Sequence, residues 1–94
     1  GHKVELSALE HLVSEKFNAQ AVATAADKGA IKAITLFIEN ETIETDEIST
    51  FLKRKLPSFM VPGQIVGMNQ FPLNKIGKID RKKLSQIAEE NNGL

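Results

Sequence analysis

The apolar positions divide the chain into six segments. Leu9, Leu12, Val13 and Phe17 recur at helical spacing and predict a helix from about Ala8 to Phe17. Ser7-Ala8-Leu9-Glu10 in front of it has capping-box spacing, with a hydroxyl to cap the helix and a carboxylate to reach back. Ala19 to Ala26, small and apolar around Val22, reads as a buried strand. Asp27-Lys28-Gly29 reads as a turn, with a glycine available for positive φ. Ile31 to Ile38 is β-branched and apolar, a second strand that makes a hairpin with the first.

The segment Glu39 to Glu47 carries five acids and no base. Thr45 is placed to cap a helix whose first turn holds Asp46 and Glu47, where the helix dipole favours negative charge. Ile48, Phe51, Leu52 and Leu56 form its apolar stripe. Lys53, Arg54 and Lys55 fall in its last turn, and Pro57 stops it. Leu56-Pro-Ser-Phe-Met-Val-Pro62 reads as a stiff extended connector, with Phe59 and Met60 available for packing. Gln64 to Phe71 predicts a third strand. Asp80 then caps a last helix with Leu84, Ile87 and Ala88 on one face, and Glu89 to Leu94 reads as a polar, frayed tail. The order α-β-β-α-β-α predicts an α+β fold, a small three-stranded mixed sheet packed with about three helices. The helix between the second and third strands makes a crossover, so those two should be parallel.

Composition narrows the function. Ninety-four residues make one small domain, and 41% apolar residues suffice for a modest core. Twelve basic and twelve acidic residues cancel, which argues against a nucleic-acid partner. There is no cysteine, hence no thiolate metal site; this fits a cytoplasmic location. No apolar run approaches the roughly 18 residues that span a bilayer, so no membrane partner is expected. The start at Gly1-His2-Lys3-Val4, without Met, suggests a piece of a longer chain.

Candidate chemistry concentrates in Phe71-Pro-Leu-Asn-Lys-Ile-Gly-Lys-Ile-Asp-Arg-Lys-Lys-Leu84. Gly77-Lys78 invites a phosphate-loop reading, which fails. Such a loop needs a glycine where Pro72 stands and Ser or Thr where Ile79 stands. Lys78 would act by its ammonium alone, as a mobile point charge. On chemistry alone, an ordinary solvated lysine in a basic turn is the stronger reading. The basic run Lys75, Lys78, Arg81, Lys82, Lys83 is either a solvated face or an anion-facing patch; no aromatic residue is interleaved for base stacking. His2 and His11 lack a carboxylate pattern for metal binding, so no metal site is expected. Glu10 reads as a helix cap ahead of an acid–base group.

Three of these stretches together resemble the adenylate-forming enzymes: acyl-CoA synthetases, peptide-synthetase adenylation domains and luciferases. Leu56-Pro57-Ser58-Phe59-Met60-Val61-Pro62 is similar to their ninth core motif, Leu-Pro-x-Tyr-Met-x-Pro. Asn74-Lys75-Ile76-Gly77-Lys78-Ile79-Asp80-Arg81 resembles the tenth, Asn-Gly-Lys-Ile-Asp-Arg after a Pro-Leu pair. Gly1-His2-Lys3-Val4-Glu5-Leu6, followed by Leu9-Glu10, resembles the end of the eighth. The likeness is to the small C-terminal subdomain and covers nearly the whole chain. The departures are Phe59 for the usual Tyr, Ile76 for Asn or Ser, Lys3 for Arg, and Ser7-Ala8 where Gly-Glu is common.

The resemblance implies a ligase that activates a carboxylic acid with ATP as its adenylate, then passes the acyl group to a thiol. It implies Lys78 as the catalytic lysine of the first step. Gly1, Lys3 and Gly77 are the implied cofactor-binding positions, with Gly1 presented to the pantetheine arm after the subdomain rotates. ATP and Mg²⁺ would be held mainly by a large N-terminal adenylation subdomain outside this chain. The motif style points to phosphopantetheine on a carrier protein as acceptor, with coenzyme A as the alternative. A stand-alone interaction module that kept the fold and lost catalysis is the rival from another class. The parent sequence upstream of Gly1 would discriminate them.

Overall fold

A computed structural model describes the backbone of residues 5–28 and 31–92 and the side chains of residues 5–26 and 33–90. The elements are α1 (Leu6–Phe17), β1 (Ala21–Lys28), β2 (Ile31–Ile38), α2 (Thr45–Lys55), a 3₁₀ turn (Ser58–Met60), β3 (Gln64–Gly67) and α3 (Arg81–Asn92). The α-β-β-α-β-α order and the α+β class are as the sequence predicts. The sheet runs β1-β2-β3, antiparallel between β1 and β2 and parallel between β2 and β3.

Strand alternation sends residues to both faces of this sheet, and both are covered. Ala23, Ile34, Leu36 and Ile38 join Leu9 and Val13 of α1 and Ile48 and Leu52 of α2 in one core. Val22 and Phe37, directly paired across β1 and β2, join Phe71, Leu84 and Ala88 in a second core beneath α3. Covering on both faces explains why β2 is apolar at six of its eight positions, all but Lys32 and Thr35. Outside the first core, Phe17 and Phe51 meet edge to face at 5.6 Å, and Lys16 Nζ lies 5.4 Å from the Phe51 centroid.

Several local expectations are corrected. α1 begins two residues early, with Glu5 at its N-cap and no side-chain cap. Ser7 therefore lies inside the first turn, and the Ser7–Glu10 capping box does not form. α2 is capped by Glu44, with Thr45 its first helical residue and no side-chain cap. Asp46 and Glu47 already supply the negative charge that its first turn favours. Residues 56–62 contain a 3₁₀ turn instead of staying extended; Met60 is buried, while Phe59 is 37% exposed. β3 stops at Gly67, because its partner β2 ends at the paired Ile38. α3 continues through Asn92, so the stretch from Glu89 to Asn92 is helix and not frayed tail. Asp80 does cap α3: its Oδ1 accepts the Lys83 N–H at 3.0 Å.

Candidate active-site loop

Residues 71–84 leave the second core, form a tight loop and return to it. Phe71 is 2% exposed and Leu84 fully buried, so apolar burial fixes both ends. The Phe71 N–H also donates to Glu39 Oε2 at 2.8 Å, a charge-assisted bond at the end of β2. From there the segment closes like a zip. The Asp80 N–H donates to the Pro72 carbonyl at 2.8 Å. Leu73 and Ile79 form an antiparallel bridge. The Asn74 N–H donates to the Lys78 carbonyl at 2.8 Å, and the Gly77 N–H donates to the Asn74 carbonyl at 3.0 Å.

Reversal at the tip depends on Gly77, whose φ of +84° lies in the left-handed region that a side chain disfavours. Lys78 follows it and is exposed. Its neighbours Leu73 and Ile76 are 53% and 76% exposed. The tip therefore carries two exposed cations, Lys75 and Lys78, beside apolar side chains that find no cover within the described residues.

A second brace holds the return limb. The Glu10 carboxylate, 15% exposed, accepts the Ala23 N–H of β1 at 2.8 Å through Oε2. The same oxygen accepts Arg81 Nη1 at 2.9 Å, and Oε1 accepts Nη2 at 3.5 Å. That hydrogen bond raises the Arg81 guanidinium above its ordinary pKa, against a smaller opposing effect of burial. Glu10 thus ties α1, β1 and the first residue of α3 together. It is neither a helix cap nor placed as an acid–base group, because a strand-edge N–H and a guanidinium offer it better partners than its own helix end.

Of the sequence-derived site residues, Gly77 and Lys78 lie together at the tip. Gly1 and Lys3 lie outside the described residues, as does His2. His11 is exposed, and among the described residues no group of three His, Asp or Glu side chains could hold a metal ion. Sequence reasoning gave no role to Glu39 or Asn74. Asn74 had a legible signal, since Asn ahead of a glycine favours a side-chain turn. Glu39 had none, because it meets Phe71 across 32 residues.

No family model matches the chain. It is 34% identical over 88 residues to surfactin synthase subunit 2 of Bacillus subtilis (strain 168), covering 92% of this chain and 2% of that protein. It is 36% identical over 89 residues to bacitracin synthase 1 of Bacillus licheniformis, again covering 92% of this chain and 2% of the relative. In fold it matches a four-domain nonribosomal peptide synthetase crystallised with AMP and glycine. The TM-score is 0.76 at 23% identity, over 87% of this chain and 6% of that one. The fold is a small α+β unit with exposed lysines on a loop anchored at both ends. The chain is homologous to a short part of the nonribosomal peptide synthetases, about 2% of their length, and its fold is consistent with a small C-terminal adenylation subdomain.

No helix among the described residues is long and apolar enough to cross a membrane.

Proposed function

We propose that residues 1–94 are the mobile C-terminal subdomain of an ATP-dependent acid–thiol ligase whose large N-terminal subdomain lies outside this chain. The ligase activates a carboxylic acid, an amino acid or acyl acid, and loads it onto the phosphopantetheine thiol of a carrier protein in the cytoplasm. The observation that carries this reading is the exposed Lys78 on a loop whose two ends are buried. Similarity to peptide synthetases supports the carrier protein as acceptor.

In the first step a carboxylate oxygen attacks the α-phosphorus of ATP. The bond from that phosphorus to the bridging oxygen breaks, and pyrophosphate leaves with the electron pair. Two anions must meet, and negative charge builds on the phosphoryl oxygens. A lysine ammonium delivered there offsets the repulsion and stabilises the developing charge. In the second step the thiol sulfur attacks the acyl carbonyl, its proton goes to solvent or a base, and AMP leaves. Rotation of the subdomain between the steps withdraws Lys78 and brings Gly1 and Lys3 toward the pantetheine arm, where glycine permits close backbone approach. Mg²⁺ would be held with ATP mainly on the N-terminal subdomain, where it would neutralise phosphate charge.

The test is pyrophosphate exchange by the intact enzyme carrying Lys78→Ala. Adenylate formation should slow by about 10²- to 10³-fold, roughly 3–4 kcal/mol of transition-state stabilisation. Exchange at the unsubstituted rate would remove Lys78 from the mechanism.

A further inference from the structure

Asn74 makes more directed bonds to the loop tip than any packing need explains. It is exposed, yet its Oδ1 accepts two backbone N–H groups, those of Ile76 and Lys78, each at 3.0 Å. Its own N–H and carbonyl close the turn on Lys78 and Gly77. Two of these four bonds end on Lys78, one on its N–H and one on its carbonyl. The peptide unit on each side of the lysine Cα is therefore held by a single residue.

We propose that Asn74 is a positioning residue for Lys78, fixing where the lysine leaves the loop so that its ammonium reaches the reacting phosphate. This rests on the catalytic reading of Lys78 above. A lysine side chain has several free torsions, so its useful volume is set by the placement of its Cα. Gly77, which precedes it, is the residue least able to hold that placement by its own conformational preference. The Asn74 carboxamide supplies the missing restraint. Its oxygen has two lone pairs at the right reach, and one atom satisfies both N–H groups. Alanine at this position removes the acceptor. Serine retains a shorter one that makes the same kind of turn more weakly. A misplacement on the scale of an ångström at a charge-stabilising group is costly to the rate.

The experiment compares Asn74→Ala, Asn74→Ser and Lys78→Ala. In this 94-residue chain, amide hydrogen exchange at Ile76 and Lys78 should quicken about tenfold in Asn74→Ala and less in Asn74→Ser, with the amides of β2 unchanged. In the intact enzyme, Asn74→Ala should lower kcat for adenylate formation by about 10- to 100-fold. KM for ATP should hold, and Asn74→Ser should recover part of the loss. A residue that only supports folding would lower the melting temperature and quicken exchange across the sheet without this kcat-specific pattern. Unchanged exchange at both amides in Asn74→Ala overturns the proposal. So does an unchanged kcat in Asn74→Ala while Lys78→Ala is slow, an outcome that leaves the reading of Lys78 standing. A fast Lys78→Ala enzyme overturns both.

Discussion

The ends and the tip of the 71–84 segment obey opposite rules. At the ends, Phe71 and Leu84 are sealed against Val22 and Phe37, and Glu39 holds the backbone of Phe71. At the tip, Leu73, Ile76 and Lys78 are exposed, and order comes from hydrogen bonds local to the turn. The core places the loop to within the tolerance that close packing allows. The proposed function gives exposed Lys78 and its apolar neighbours a surface of the N-terminal subdomain to meet. The structure puts stability at the ends and the proposed function puts activity at the tip, only a few positions apart. Substitutions should separate them.

The largest expected effect breaks the anchored end. Phe71→Ala should cost about 3–5 kcal/mol of stability, the range for truncating a buried aromatic ring. Urea denaturation of this chain reads it as a fall in midpoint. A loss below about 1 kcal/mol would mean that Phe71 does not anchor the loop.

A smaller effect is expected at the brace. Glu10→Ala leaves the Ala23 N–H without its acceptor, which costs about 1–3 kcal/mol. The Arg81 ion pair adds little, since Arg81 is 60% exposed and solvent screens it. Salt discriminates the two contributions. If most of the loss disappears at high ionic strength, the ion pair and not the strand-edge bond carries the brace.

The smallest effect belongs to the tip. Gly77→Ala places a side chain at φ +84° with open space around it, so the cost is conformational alone, about 1–2 kcal/mol. Denaturation midpoints check it. A cost equal to that of Phe71→Ala would erase the distinction between tip and anchor.

How far the sequence reveals this arrangement depends on the range of each interaction. The hairpin, the parallel crossover and the Asp80 cap follow from periodicity and near-neighbour chemistry, and all are present. The exposed Lys78 beside Gly77 was visible because a short motif carries it. Glu10 was misread because its partners, Ala23 and Arg81, lie 13 and 71 residues away, whereas the capping box is the only reading that local spacing offers. β3 was read too long for a related reason. Met68 and Phe71 add apolar positions beyond Gly67, but Phe71 serves the second core and not the strand ladder. Local spacing cannot distinguish an apolar residue that pairs from one that plugs.

The most direct test of the central claim is the second half-reaction of the Lys78→Ala enzyme, started from supplied acyl-adenylate and read as acyl transfer to the carrier-protein thiol. A lysine that serves at the loop tip for adenylate formation, and is withdrawn by rotation afterwards, predicts transfer at close to the unsubstituted rate. Transfer slowed by the same factor as pyrophosphate exchange would make Lys78 a general binding or folding residue and contradict the two-position account of this subdomain.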